Sequence, residues 1–402
     1  MSNSTRKTLL ILAASHYQCA AIRAAQALGY RVVTTDNRPD NPGHRLAERS
    51  YGVDTTDVAG VLAVARAERI AGVLAPCTDV AMPAAASVAE ALGLRGPSVA
   101  STAIACDKLR FRAFLEQHGF ASPTYYRPLA SDPWRTQAGS LGATPRWIVK
   151  PAQSSGSKGI TVVSTREEMR AAIPAACAFS KSGEAIVEEF LEGHQGTLEG
   201  WLHEGEIVWH ALLDRETAPL PHTATHGHAI PTMLTIEQQT AVRTTVTRLW
   251  RALGVSDGPF DCDFVLAGDR VFILEVSPRL GGNAICDLVR SACDFDLVAH
   301  TVRWACGEAP AALPTRPAKP RAVALLGSAR AGRLRYHRKA ARTLAREPWV
   351  EALAWDVPFD APVEPFIDGR HRVGQCLLAA ADREELGRRL REVRERLAIT
   401  AE

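Results

Sequence analysis

One short stretch of the chain combines two lysines with glycines and serines. Residues 150–159 read KPAQSSGSKG, and apolar runs precede and follow them. Backbone N–H groups in such a loop can surround phosphate oxygens, the two glycines allow close backbone approach, and the lysines add positive charge. The Walker A order GxxxxGK[ST] is absent, so the stretch predicts a different kind of phosphate-binding loop between two strands. An ordinary hairpin loop with surface lysines is the alternative from these residues alone.

Two carboxylates flank a Gly-Asp turn further along the chain. In residues 259–277 a two-residue turn would put Asp263 and Glu275 on opposite faces, whereas a three-residue loop, 268–270, would set them directly opposite each other. We expect the three-residue loop, with a cation between the carboxylates to offset their repulsion. Oxygen ligands of this kind suit Mg²⁺ that carries phosphates. Arg279, four residues beyond Glu275, could stabilise a phosphoryl group during transfer. An exposed acidic pair is the alternative.

A third stretch, residues 184–193, reads EAIVEEFLEG and predicts a strand that ends near a glycine. The backbone at the end of such a strand offers donors and acceptors for the edge of a purine. An edge strand with acids facing solvent explains the same pattern.

Elements before residue 105 are expected to position part of this chemistry. Strands at 8–14, 30–36 and 70–76 alternate with helices at 20–29, 57–69 and 80–92, which predicts a doubly wound parallel sheet. The first strand-to-helix turn, residues 14–18, lacks GxGxxG, so we expect no dinucleotide site there.

The remainder of the chain predicts mixed strands and helices. A proline-rich segment, 310–320, reads as a linker, and a small last domain follows at 321–402. Its final helix has Asp382 as the expected N-cap and an apolar stripe. The stripe consists of Leu386, Leu390, Val393 and Leu397. The elements expected between residues 106 and 306 are a helix at 106–119, a loop at 127–146, strands at 147–151 and 160–164, a helix at 166–178, a strand at 185–190, antiparallel strands at 197–213 around the turn 203–206, a helix at 235–254, a hairpin at 259–277 and a helix at 283–306.

Composition excludes several classes of protein. The 402 residues are 46% hydrophobic and 23% charged, with a net charge of +3, which argues against a mainly disordered chain and gives no sequence-wide signature of nucleic-acid or membrane binding. The nine cysteines form no C-x-x-C pair, so we expect free thiols in a reducing cytoplasm. No apolar run approaches the roughly 20 residues that span a bilayer.

In their order along the chain, these stretches resemble the ATP-grasp superfamily of carboxylate–amine ligases, and within it the free-standing L-amino acid ligase and biotin carboxylase-like branch. The resemblance covers residues 1–310 and depends on K-P-x-x-S-S-G-S-K-G and E-V-S-P-R-L-G-G. It implies a multidomain protein of mixed α/β and α+β class. The implied units are an N-terminal doubly wound parallel α/β domain at 1–105, a two-lobed ATP-grasp domain at 106–309 with a flexible lobe at about 147–213, the linker at 310–320 and a small C-terminal α+β domain at 321–402.

The resemblance also assigns residues to ATP. Lys108 and Lys150 match the two lysines that contact nucleotide phosphates, and residues 154–159 match the loop that closes over them. The hinge that reads adenine matches residues 188–191. The ribose carboxylate of the family is replaced by Gln195, with Glu199 as a second polar candidate. The implied nucleotide-binding set is Lys108, Lys150, Ser154, Ser155, Gly156, Ser157, Lys158, Gly159, Glu188, Glu189, Phe190, Leu191, Gln195 and Glu199.

Metal and substrate residues follow from the same resemblance. Asp263 and Glu275 match the two ligands of Mg²⁺ (or Mn²⁺), and Ser277 stands where the family usually has asparagine. Arg279 matches the arginine that steadies the acyl phosphate, which makes Arg279 and Lys150 the catalytic candidates. The implied substrate residues are Asp79, His228, Arg279, Gly281 and Gly282.

The implied reaction uses ATP to convert a carboxylate into an acyl phosphate, which an amine then attacks, releasing ADP and phosphate. Arg279 would stabilise the oxyanion, and closure of the 153–159 loop would exclude water. A bicarbonate-activating carboxylase remains an alternative, as does a nucleotide-binding module without turnover, which Gln195 and Ser277 suggest. We expect small-molecule carboxylate and amine partners, a homodimer, a cytoplasmic location, and neither nucleic acid nor membrane as a partner.

Overall fold

The computed structural model describes residues 6–128, 146–309 and 312–402. Most of the loop expected at 127–146 and the first residues of the expected linker, 310–311, lie outside these ranges. The N-terminal domain contains a parallel sheet of order β3-β2-β1-β4, which confirms the doubly wound prediction. Its elements are β1 (Thr8–Leu12), α1 (Cys19–Ala27), β2 (Arg31–Thr35), α2 (Pro42–Leu46), β3 (Arg49–Tyr51), α3 (Val58–Ala67), β4 (Gly72–Leu74) and α4 (Met82–Leu92).

Two helices connect this domain to the rest of the chain, α5 (Val99–Ala105) and α6 (Lys108–Gln117). The Asp107 side chain caps α6 by accepting a hydrogen bond from the Arg110 N–H. The predicted helix at 106–119 therefore begins at Lys108, which fixes that lysine in the first turn.

A small lobe follows, built on an antiparallel sheet of order β5-β8-β6-β7. The phosphate-loop candidate connects its two neighbouring strands β6 and β7, as the sequence predicted. The elements are β5 (Tyr125–Tyr126), β6 (Trp147–Pro151), β7 (Thr161–Val163), α7 (Arg166–Phe179) and β8 (Ala185–Glu189).

The large sheet has eight strands in the order β13-β12-β9-β10-β11-β14-β18-β16. Residues 194–217 form two of these strands, so the four-stranded lobe ends at β8 and not near residue 213 as expected. The core elements are β9 (His194–His203), β10 (Glu206–Thr217), β11 (Thr225–Ile230), α8 (Ile236–Leu253), β12 (Gly258–Ala267), β13 (Arg270–Ser277), α9 (Ile285–Cys293) and α10 (Leu297–Ala305).

The C-terminal part continues the same sheet through three of its strands, because β14 pairs with β11 of the core. Helix α12 begins at the predicted N-cap Asp382 and buries Leu386, Val393 and Leu397 of the predicted stripe. The elements of this part are β14 (Arg321–Leu326), β15 (Gly332–Arg335), α11 (Arg338–Leu344), β16 (Val350–Trp355), β17 (Pro362–Val363), β18 (Gly374–Ala379), α12 (Arg383–Leu397) and β19 (Thr400–Ala401).

The β12–β13 hairpin reaches the expected register by a different route. Asp263 lies opposite Glu275, yet the loop contains only Gly268 and Asp269, because Ala267 pairs with Arg270. The prediction of a three-residue loop was therefore wrong. A β-bulge just after Asp263 adds the missing residue and puts both carboxylates on one face.

The single helix expected at 283–306 is two helices. Asp294 adopts a left-handed conformation with φ 51°, which ends α9. Asp296 then caps α10 by accepting a hydrogen bond from the Ala299 N–H at 2.8 Å. Short polar side chains favour both conformations, so the Asp-Phe-Asp sequence breaks the helix.

The two faces of the large sheet pack against different layers. Val246, Leu249 and Trp250 of α8 are fully buried against one face. The other face packs against α9, α10 and the N-terminal domain. All nine cysteines are free thiols, as expected. No helix in the described ranges has the length and apolar character to cross a bilayer.

Candidate active site

A cleft separates the small lobe from the large sheet. Most of the residues predicted to bind nucleotide line this cleft, and only Gly159 and Glu199 do not. The lining residues from the predicted set are Lys108, Lys150, Ser154, Ser155, Gly156, Ser157, Lys158, Glu188, Glu189, Phe190, Leu191 and Gln195, and the predicted metal ligands Asp263 and Glu275 line the cleft as well.

The carboxylate of Glu188 lies between two buried cations. Lys150 Nζ donates to Glu188 Oε2 at 2.6 Å, and Arg112 Nε donates to Oε1 at 2.8 Å. Burial alone would raise the pKa of Glu188, but the charges of Arg112 and Lys150 lower it to about 2. This carboxylate is therefore engaged by the two cations, and the predicted contact with a purine edge would fall to the backbone of residues 189–191.

Sequence reasoning missed Arg112, which is fully buried on α6 and also donates to the carbonyl oxygens of Ile273 and Leu274. Its position among Phe111, Phe114 and Leu115 was the available signal, since an arginine on an apolar face needs a buried partner.

Lys108 reaches the cleft from the start of α6. Its backbone N–H donates to the Ala152 carbonyl at 2.9 Å, and its Nζ lies 3.3 Å from Glu275 Oε1 and 3.4 Å from the Ser154 carbonyl oxygen. One side chain thus contacts both the phosphate loop and a predicted metal carboxylate.

The carboxylate pair fits a divalent cation. Asp263 Oδ1 accepts a hydrogen bond from Thr197 Oγ1 at 2.5 Å, and Asp263 Oδ2 lies 3.3 Å from Arg215 Nη1. Arg215 was missed by sequence reasoning and also lines the cleft. The described residues contain no group of three His, Cys, Asp or Glu side chains arranged for a metal. Two opposed carboxylates on one face of the hairpin match the preference of Mg²⁺ for oxygen ligands.

Arg279 lies beyond this pair, where the core meets the N-terminal domain. Its Nη1 donates to Asp261 Oδ2 at 2.8 Å, and its Nε donates to Asp79 Oδ1 at 2.9 Å. Ser277 Oγ donates to the same Asp79 oxygen at 2.5 Å and is buried. The Ser277 hydroxyl is therefore hydrogen-bonded to Asp79 in this structure. Sequence reasoning missed Asp261 as a partner of Arg279.

Two carboxyl groups lie side by side beneath Arg279. Glu199 on β9 is opposite Asp261 on β12, and both Glu199 oxygens accept from the Gly281 N–H, at 3.0 and 3.1 Å. Burial, reinforced by the charge of Asp261, raises the pKa of Glu199 well above its ordinary value. A Cβ at Gly281 would lie 2.4 Å from Glu199 Oε2, so the carboxyl group and the glycine fit closely. Glu199 thus holds the 281 backbone and lies outside the cleft.

His228 is buried on β11 opposite Arg215 of β10. Neither ring nitrogen has a hydrogen-bond partner, and burial lowers the pKa of His228 to about 4. Its neutral ring is on the sheet beside the site, but it does not line the cleft.

The phosphate loop needs both of its glycines. Gly156 and Gly159 each have φ of +70°, a conformation that favours glycine. A Cβ at Gly159 would also lie 2.8 Å from the Phe179 ring. Lys158 lies between the two glycines in the sequence, and its burial lowers its pKa.

Comparisons with known proteins agree with this geometry. Residues 144–287 match the family model of the ATP-grasp domain. The chain is 26% identical over 390 residues to the formate-dependent phosphoribosylglycinamide formyltransferase of Burkholderia vietnamiensis, an alignment that covers 94% of this chain and 91% of the relative.

Two solved structures share the fold over nearly the whole chain. The L-amino acid ligase of Bacillus licheniformis has a TM-score of 0.81 at 19% identity, with 98% of each chain covered. The phosphoribosylglycinamide synthetase of Anaerococcus prevotii has a TM-score of 0.75 at 18% identity, with 99% of this chain and 100% of that chain covered.

The chain therefore contains an ATP-grasp domain, and its fold is the ATP-grasp fold. The ATP-grasp domain that the sequence motifs indicated is thus confirmed, as is the mixed α/β architecture.

Proposed function

We propose that the protein is an ADP-forming carboxylate–amine ligase that activates a carboxylate as an acyl phosphate. The observation that carries this proposal is the convergence on one cleft of Lys108, Lys150, the phosphate loop and the opposed carboxylates Asp263 and Glu275. The lysines would neutralise the charge of a phosphoryl group in transfer. Asp263 and Glu275 would hold Mg²⁺, which when bound supplies charge neutralisation on the phosphates.

Arg279 supports the second half of the reaction. Its guanidinium is held in place by Asp79 and Asp261, so donors are oriented before reaction. Such preorganised charge would stabilise the oxyanion that forms when an amine attacks the acyl phosphate. The C–N bond forms, the C–O bond to phosphate breaks, inorganic phosphate leaves with the electron pair, and the proton lost by the amine nitrogen passes to phosphate or solvent.

The first strand-to-helix turn favours an acceptor without a phosphate group. Turns at this edge of a parallel sheet commonly bind phosphates through free backbone N–H groups. Here the Ala14 N–H donates to Asp36 at 2.9 Å, and the Ser15 N–H donates to Gln18 at 3.0 Å. Because these donors are occupied, we propose an unphosphorylated amine as acceptor, in contrast to the phosphoribosylglycinamide named for the curated relatives.

A matrix of carboxylates against amines tests the proposal, with ADP release and product mass as readouts. Formate, bicarbonate and amino acids serve as carboxyl donors, and amino acids, amino sugars and glycinamide ribonucleotide serve as acceptors. We expect ADP release only when both partners are present. Formation of AMP, or ADP release that depends on bicarbonate alone, would contradict the ligase.

A further inference from the structure

The C-terminal part of the chain contacts the phosphate loop directly. The Gly369 N–H donates to the Gly156 carbonyl oxygen at 2.9 Å, although the two residues belong to different lobes. Gly369 begins a single helical turn, Gly369–His371, within a segment that we call the strap, residues 366–372. We propose that the strap is a positioning element that holds the phosphate loop over the nucleotide, which rests on the proposed function of that loop.

The strap also contacts the other end of the loop. The Arg370 guanidinium lies 4.9 Å from the centre of the Phe179 ring. Phe179 in turn packs against Gly159, where a Cβ would approach the ring to 2.8 Å. The loop is thus held at Gly156 through a hydrogen bond and at Gly159 through the Phe179 ring.

The strap is itself firmly anchored. Phe366 is buried and stacks on His226 of β11, with ring centres 4.8 Å apart and planes 14° apart. Arg372, also buried, donates to Asp356 at 2.7 Å, and Asp368 accepts from Arg370 at 2.7 Å. A segment fixed at both ends can restrain a glycine-containing loop that has little side-chain packing of its own.

The N-terminal domain completes the arrangement. Tyr17 Oη donates to the Gly369 carbonyl oxygen at 3.2 Å, and Arg372 lies 5.0 Å from the centre of the Tyr17 ring. Tyr17 belongs to the first strand-to-helix turn, so the strap connects that turn to the phosphate loop. Closure over ATP is therefore coupled to the position of the N-terminal domain.

Gly369→Pro removes the single N–H that carries the main contact, and Gly369→Ala is its matched control. The position begins a helical turn and follows the extended residue Asp368 (φ −152°, ψ 172°), so the preceding residue accepts proline, and the proline ring also fills the space between Gly369 N and the Gly156 carbonyl oxygen. A Cβ at Gly369 would meet nothing closer than 3.4 Å, so alanine fits and keeps the donor. Tyr17→Phe, which removes only a hydroxyl, serves as a second variant should the proline protein fail to fold.

Hydrogen exchange of residues 154–159 is measured in the full chain without nucleotide, together with the KM for ATP. We expect Gly369→Pro to speed exchange and raise the ATP KM by about fivefold or more each, since loss of one hydrogen bond alone accounts for about fivefold and the proline ring also displaces the Gly156 carbonyl. Gly369→Ala should match the wild type, and Tyr17→Phe should change both quantities in the same direction by less. Equal exchange in the proline and alanine variants, whether both slow or both fast, would overturn the proposal. The exchange comparison needs no turnover, so it distinguishes failure of the strap from failure of the proposed ligase activity.

Discussion

Asp79 and Arg279 form the closest electrostatic link between the N-terminal domain and the catalytic candidates. A single oxygen, Asp79 Oδ1, lies 2.9 Å from Arg279 Nε and 2.7 Å from Arg279 Nη2. The two residues are 200 positions apart in the sequence. The N-terminal domain therefore shares with Asp261 of the core the positioning of the guanidinium that would stabilise the oxyanion.

Asp79→Asn should lower kcat more than it changes the KM for ATP. The amide cannot balance the charge of Arg279, so the guanidinium loses its fixed orientation, and misplacement of a catalytic group can cost about 100-fold. The KM for ATP should stay within a factor of two or so of the wild type, because Asp79 does not line the nucleotide cleft. Steady-state ADP release measures both. Asp40→Asn, at an exposed aspartate, is the control. A rise in the KM for ATP without a fall in kcat in Asp79→Asn would contradict the positioning role of Asp79.

Ser277→Ala distinguishes a metal ligand from a residue that acts through Asp79. Because the hydroxyl donates to Asp79 at 2.5 Å, we expect a lower kcat and an unchanged Mg²⁺ concentration for half-maximal activity. Glu275→Gln should raise that concentration about tenfold or more, as expected for loss of a charged ligand. Titration of activity with Mg²⁺ provides the measurement. A shift of similar size in both variants would make Ser277 a ligand, as the family resemblance implies.

Glu188→Gln should destabilise the folded protein. Removal of one charge from a buried ion-paired group leaves Lys150 and Arg112 uncompensated, which typically costs about 3–5 kcal/mol. Urea denaturation gives the change in free energy of unfolding. Glu192→Gln is the matched control, since the exposed pair of Glu192 with Arg146 is worth about 1 kcal/mol or less. Equal stability of the two variants would show that the buried triad adds little.

His228 should make stability depend on pH. Burial lowers its pKa from 6.5 to about 4, so between these values the unfolded chain binds a proton that the folded chain does not. The free energy of unfolding attributable to His228 should then fall as pH decreases from about 6.5 to 4, by up to about 1.4 kcal/mol per pH unit. Chemical denaturation of the wild type and His228→Leu should give a shallower dependence for the variant in that window and parallel curves above pH 7.5. Parallel curves throughout would contradict the lowered pKa.

Local patterns predicted the elements that carry the site, because alternation and turn residues act over short distances. The Lys150–Gly159 loop lies between two strands as expected, and Asp263 faces Glu275 as expected. The route to that register was not predictable, since a bulge after Asp263 replaces the longer loop and has no distinct sequence signal. The break at Asp294 was missed because helical spacing resumes immediately beyond it.

Contacts between residues that are far apart in the sequence account for the features of the site that could not be predicted. Arg112 meets Glu188 across 76 positions, and Asp79 meets Arg279 across 200. No local pattern pairs such residues, because their partnership depends on how α6, the N-terminal sheet and the hairpin pack. This is why the contacts that Glu188, Glu199 and Ser277 make in the structure could not be predicted from the motifs alone.

The pairing of β11 with β14 means that the C-terminal part can be replaced only together with a compatible edge of the core sheet. Four residue pairs join these strands, and a Cβ at Gly227 would lie 2.5 Å from the Val323 carbonyl oxygen. A foreign tail would have to supply a strand of the same register that leaves this glycine undisturbed, or β11 would become an unprotected edge that can pair with other chains. Replacement of the C-terminal segment is therefore restricted here to donors with a matching strand.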